Sequence, residues 1–309
     1  MTAIATLFPV CFMLLLGYIS RMKGWITPEQ KEGVSVIIFK LLFPVLILNL
    51  MCTAKVETAH IKMIGYVMAV YILALVLGKL TASRTKNKYA HFSAYLLTIV
   101  EGGNVALPLY LSIVGPSSNT VIFDIAGIFI AFILFPVLIA KEASTASSKK
   151  AIMQSIITNP FVVFVIIGLF LNFTGVYQQL IHSSFGDMIT NTFTQATAPI
   201  VSFILFGLGY DFHINPSNLA PLCKLLVIKF IYYAFVIVGF FILFPNQMSD
   251  ETFMIAPIIY FMCPTGFSLM PLISPLYQKE DDAAFTSAFI SMFLIVTLIV
   301  YTLLVFYFA

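Results

Sequence analysis

The chain has 309 residues, 61% of them hydrophobic and only 9% charged, with a formal net charge of +3. A soluble domain carries about 25% charged residues, so this composition excludes an ordinary globular protein and points to a polytopic membrane protein. The positive balance sits on loop lysines and arginines, where it reports topology rather than nucleic-acid binding.

A helical span needs roughly 20 apolar residues, and ten such runs with short loops use nearly the whole chain. They fall at 3–20, 33–52, 61–81, 90–114, 120–140, 156–176, 186–209, 219–244, 252–276 and 283–308. The runs are too long and continuous for the alternating strands of a barrel, so all ten read as helices. The first lacks a basic n-region and runs into Arg21 and Lys23, the pattern of a retained span. Basic residues follow the odd-numbered spans: Arg21, Lys23 and Lys31, then Lys79, Arg84, Lys86 and Lys88, then Lys141, Lys149 and Lys150, then Lys224 and Lys279. The alternate loops hold only Lys55 and Lys62. By the positive-inside rule the odd loops are cytoplasmic, and both termini lie outside the cell membrane.

Span four carries EGGNVALPL, from Glu101 to Leu109, in the middle of an otherwise apolar run. Gly102 and Gly103 weaken a helix and Pro108 has no N–H to give. Broken backbone at membrane depth is tolerated only where protein or a water-filled cavity satisfies the freed groups. Residues 141–155, KEASTASSKKAIMQS, form a polar cytoplasmic linker that divides the chain into 1–140 and 156–309, five spans each. Five is odd, so homologous halves must be inverted repeats. FPVCFMLLLG places Pro9 eight residues before Gly17, and NPFVVFVIIG places Pro160 eight before Gly168. Spans two and seven carry Pro44 and Pro199. Span nine reads PTGFSLMPL from Pro264, matching Gly266 to Gly103, Pro271 to Pro108 and Leu272 to Leu109. Gly/Pro-interrupted spans at corresponding places in two inverted halves point to a transporter's binding site.

Three stretches, GYISRMKGWITPEQKEGVSVIIFKLLFPVLI, NPFVVFVIIGLFLNFTGV and CPTGFSLMPLISPLYQKEDDAAFTSAFIS, resemble the auxin efflux carrier family. The likeness covers almost all of the chain and is to the family's bacterial branch of malate- and malonate-permease-like proteins. It implies ten transmembrane helices in two inverted five-helix repeats, with helices four and nine broken and crossing at the midplane. It further implies a scaffold of helices 1, 2, 6 and 7, which also forms a homodimer. Helices 3–5 and 8–10 become a moving transport domain that works as an elevator, and the cargo a small organic anion. The family usually has Asn where this chain has Glu101, an Asn that helps hold the anion; here Asn104 lies three residues later.

Burying a charge at the bilayer centre costs at least ~2.5–3.5 kcal/mol, which marks Glu101 as a coupling carboxylate or a direct ligand for a cation. The bland reading is a counter-ion for a buried lysine. Lys229, about ten residues into span eight and roughly 15 Å along it, shares a helix face with Tyr232 and Tyr233. It is either an anion anchor or ion-pair partner of Glu101, or a lysine snorkelling to the interface. Gly102, Gly103, Asn104, Pro264, Thr265, Gly266 and Ser268 line the two interruptions. Their N–H groups and side chains either bind a carboxylate or ion, or repair the broken backbone. Pro108 and Pro271 are assigned to geometry. Thr190, Thr194 and Thr197 form one stripe on span seven, either an access path or packing, and Asp124 reads as an entrance or interfacial charge. Cys11, Cys52, Cys223 and Cys263 form no CxxC pair and no histidine has metal-ligand spacing, so neither a metal nor a cofactor is expected.

These features make a secondary carrier working by alternating access, driven by a proton or sodium gradient because no P-loop is present. A cation or zwitterion carrier that uses Glu101 directly is the alternative. An intramembrane aspartyl protease would need facing aspartates, whereas Asp187 and Asp211 stand roughly 36 Å apart along one helix. No HExxH or GxSxG motif occurs either.

Overall fold

The computed structural model describes residues 2–54, 58–84, 89–142, 158, 160–212, 219–266 and 269–308. It is helical, with no strand among those residues. In chain order the helices are α1 (Thr2–Met22), α2 (Pro28–Thr53), α3 (Thr58–Arg84), α4 (Ala90–Thr98), α5 (Gly102–Val114), α6 (Asn119–Phe129), α7 (Phe135–Glu142) and α8 (Pro160–Phe173). There follow α9 (Val176–Ile181), α10 (Gly186–Thr197), α11 (Ile200–Asp211), α12 (Leu219–Leu243), α13 (Pro245–Met248), α14 (Glu251–Phe261), α15 (Leu269–Ile273) and α16 (Glu280–Phe308). Among the described residues six helices are long and apolar enough to cross a membrane, or seven if α4 and α5 count as one bent span. The count stays below ten because the expected fifth and ninth spans fall on interrupted helices and the sixth is short. Of the expected linker, residues 143–155 lie outside the described residues.

Local chemistry sets the boundaries. α2 begins five residues before its apolar run because Thr27 and Gln30 form a capping box, with Oγ1 accepting from Gln30 N at 3.3 Å and Oε1 from Thr27 N at 2.9 Å. Three π turns, Ile38–Leu42, Gly102–Ala106 and Ile130–Leu134, each end two residues before a proline: Pro44, Pro108 and Pro136. In each, the residue before the proline donates its N–H five residues back, Phe43 to Ile38, Leu107 to Gly102 and Phe135 to Ile130. Widening the turn makes room for a ring that would otherwise clash with the carbonyl four residues behind it.

The helices gather into two compact units interleaved along the chain: Met1–Val56 with Val114–Ser118 and Met153–Phe212, and Glu57–Ile113 with Asn119–Ile152 and His213–Ala309. In the first unit α1 lies against α11 at backbone distance. A Cβ on Gly17 would strike the Phe206 carbonyl and come within 2.8 Å of Tyr210 N, and one on Gly209 would strike the Leu14 carbonyl. α8 meets the second half of α2 in the same way, where a Cβ on Gly168 would stand 3.0 Å from the Leu48 carbonyl and 3.5 Å from Cys52 N. Small residues permit such approaches between helices in lipid. Asn172 Nδ2 closes the end of α2 by donating to the carbonyls of Met51 and Ala54, both at 2.8 Å. Phe8, Phe12, Leu15, Ile19 and Met22 form the exposed face of α1, an apolar surface of the kind lipid solvates.

In the second unit α3 packs on α4, with Gly78 against Ala94, and on α6. Rings from α6, α12 and α14 make the core: Phe123, Phe240, Tyr260 and Phe261 stand with centroids 5.1–5.7 Å apart. Tyr110 of α5 donates to the Thr252 carbonyl at 2.9 Å.

Candidate functional site

α4 ends at Thr98, Ile99 (φ −112°, ψ 159°) and Glu101 (φ −87°, ψ 95°) are extended, and α5 restarts at Gly102 bent 50° from α4. A helix stopped inside apolar surroundings leaves carbonyls at the end of its first part and N–H groups at the start of its second without intrahelical partners. The carbonyls of Leu96 to Ile99 are all met by side chains. Leu96 O accepts from Lys229 Nζ at 3.2 Å and from Thr265 Oγ1 at 2.5 Å, and Ile99 O from the same two atoms at 3.0 and 3.1 Å. The Tyr233 hydroxyl donates to Leu97 O, at 3.2 Å, and to Thr98 O. Lys229 Nζ also bonds Thr265 Oγ1. A lysine thus stands at a helix C-terminus, the end of the macrodipole that favours a cation.

At the other side of the gap the N-terminus of α5 faces a carboxylate. Asp124 of α6 presses so closely on Gly102 that a Cβ there would collide with its carboxylate. Asp124 Oδ1 accepts from the Tyr260 hydroxyl at 2.9 Å, which accepts from Tyr71 at 3.3 Å. Asp124 Oδ2 is buried and has no hydrogen-bond partner among the described residues. The like charge of Glu101 acts on Asp124, and the buried Cys263 thiol lies within electrostatic reach of Lys229, Glu101 and Asp124 together.

The second interruption follows α14. Met262 O accepts from Thr297 Oγ1 at 2.6 Å, Cys263 Sγ donates to Ile259 O at 3.1 Å, and Gly266 O accepts from Leu269 N at 3.0 Å. Glu101 N donates to Pro264 O at 2.8 Å, so the two breaks are joined main chain to main chain.

Of the residues the sequence singles out, Glu101, Gly102, Pro264, Thr265 and Lys229 come together here, with Thr265 and Lys229 entirely buried. Gly103 and Asn104 are half-buried on the first turn of α5, Gly266 is buried beyond Thr265, and Pro108 is buried behind the π turn it induces. Ser268 and the side chain of Pro271 lie outside the described residues. Tyr232 turns away, its hydroxyl donating to Val70 O at 2.6 Å, and its neighbour Tyr233 reaches the α4 carbonyls. Both tyrosines share the Lys229 face by spacing, so only packing separates them.

Asp124 is the residue that reading the sequence misplaces. It is 9% exposed and set against the break. The signal was present, an ionisable side chain inside an apolar run, but its position near the start of that run favoured an interfacial reading. The threonine stripe of α10 is satisfied locally, Thr194 donating to Thr190 O at 2.9 Å and Thr197 to Phe193 O at 2.8 Å.

The family model described as "Membrane transport protein" matches residues 2–303. No curated protein matches the chain.

Proposed function

The chain belongs to the membrane transport protein family, the group that includes the auxin efflux carriers, and from that premise we propose that it is a secondary active carrier of a small organic anion such as malate or malonate. One observation carries this reading: two interrupted helices are hydrogen-bonded to each other at Glu101 N and Pro264 O, with charged side chains gathered at one of them. Half-helix ends of this kind bind anionic substrates and coupling ions in carriers.

The charge balance of the site supports cation coupling. Glu101 and Asp124 are two carboxyl groups beside a break, groups that can take up and release a coupling cation. Without that neutralisation an organic anion would meet like charge in a low dielectric. The coupling cation therefore binds before or with the anion, and the loaded unit carries both. The interleaved units, and the parallel roles of Gly17 and Gly168, support an inverted-repeat architecture with a scaffold of expected helices 1, 2, 6 and 7. A multi-pass chain with both termini outside the cell membrane, paired as a homodimer through that scaffold, completes the reading.

In liposomes, gradient-driven uptake of labelled dicarboxylate is expected from the wild type and is lost in Glu101→Gln. Full gradient-dependent uptake by that variant would refute the coupling role. A carrier of cations or zwitterions is the second reading, favoured by the unpartnered Oδ2 of Asp124. Thermal protection by amines or sodium, with none from organic acids, would establish it over the first.

A further inference from the structure

The groups around Lys229 Nζ suit an ammonium. Leu96 O and Ile99 O are carbonyls and can only accept, so Nζ donates a hydrogen to each. Thr265 Oγ1 has one hydrogen, which it directs to the Leu96 and Ile99 carbonyls at 2.5 and 3.1 Å. Oγ1 is therefore an acceptor towards Nζ. Three acceptors around Nζ match the three hydrogens an ammonium donates. The ammonium has no ion-pair partner among the described residues; instead the rings of Phe293, Tyr233 and Phe289 surround it at 5.2, 5.7 and 5.8 Å. Aromatic faces attract cations in this range.

Main-chain carbonyls from an unwound helix end, joined by a hydroxyl, are also the donor set with which carriers coordinate sodium. We propose that the Lys229 ammonium is a tethered cation that permanently fills a monovalent-cation seat at the end of α4, so that the carrier runs without sodium. Lys229 is then a positioning residue: it holds the α4 carbonyls and Thr265 in place through the whole cycle and is not released to Glu101 on loading. The inference rests on the carrier reading and deepens it, because a seat already filled from within leaves the proton as the cation that Glu101 and Asp124 exchange. A buried charge fixed on a helix costs no ion-binding step, and its stem, part of α12, ties that helix to the break.

The test uses the full chain, purified in detergent and reconstituted in liposomes. Wild-type protein should melt at the same temperature in sodium chloride and in choline chloride at equal ionic strength, and its uptake under a pH gradient should persist in sodium-free buffer. Lys229→Ala empties the seat: it should melt lower, and sodium or methylammonium should raise its midpoint by at least about 3 °C over choline. Lys229→Met fills the volume without the charge and should melt lower with no such rescue. A wild type whose melting or uptake depends on sodium overturns the proposal, as does a Lys229→Ala protein that sodium and methylammonium leave where choline does. Should neither variant fold, the two wild-type arms decide alone. Melting requires no transport, so failure here is distinguishable from failure of the carrier reading.

Discussion

In the unit formed by α1, α2 and α8–α11, Ser20 is the one buried polar side chain other than tyrosine among the described residues, and the helices meet through Gly17, Gly168 and Gly209. In the other unit Asp124, Lys229, Asp282 and seven serines and threonines are buried. Both are built of apolar helices, so composition alone does not distinguish them. Glycine contacts need no polar partners and suit a rigid frame. Buried charges and hydroxyls are expensive in such surroundings and persist where they do something that packing cannot. Asp282 shows one such use, its Oδ2 accepting from Gln278 N at 2.8 Å and Lys279 N at 3.1 Å at the start of α16. Asp124 shows another, with an oxygen left open beside a helix break.

The largest effect should come from the polar unit. Lys229→Met takes one donor from each of the Leu96 and Ile99 carbonyls and leaves Thr265 as their remaining partner, and the loss should reach about 3–5 kcal/mol, read as the largest fall in melting temperature of any single variant. In the glycine unit, Gly17→Val or Gly209→Val must push two backbones apart, at about 1–3 kcal/mol. Melting temperature and membrane abundance should drop, while the KM of whatever folds stays unchanged. A Gly209→Val protein that melts normally yet transports nothing would break the comparison, since it would place function in the frame.

Asp124→Asn should sharpen it from the other side. The amide keeps an oxygen for the Tyr260 hydroxyl, and removing an unpaired buried carboxylate should change stability by no more than about 1 kcal/mol. Uptake under a pH gradient should nevertheless fall to that of protein-free liposomes. The smallest effect should be that of Lys31→Ala, which breaks the 2.6 Å pair with Asp211 in the glycine unit. Both side chains are partly exposed, so the loss should be under about 1 kcal/mol, with uptake unaltered.

Much of this arrangement was legible before any coordinates. The apolar runs gave the helices, and EGGNVALPL gave the first break, because Gly and Pro act on the backbone wherever the chain goes. Pro44 and Pro136 set their π turns by the same local rule. The failures are of another kind. Asp124 was set aside because position within a run says nothing about depth of burial. Tyr233 and not Tyr232 reaches the α4 carbonyls, because i+3 and i+4 differ by a small rotation that only the neighbours of α12 resolve. The polar turn PEQKE was left out of the second span because hydropathy ignores a capping box.

By itself, then, the sequence determined that this is a helical membrane transport protein with its backbone broken at Gly102 and again after Phe261. Those properties follow from hydropathy and from main-chain chemistry that act over a few residues. Only the tertiary structure decided that Lys229 is held by α4 carbonyls and that Asp124 lies against Gly102. It also joined Glu101 to Pro264. Each of these pairings spans tens to more than a hundred residues, and its energy depends on which groups share a dry interior, a quantity that exists only once the helices have packed.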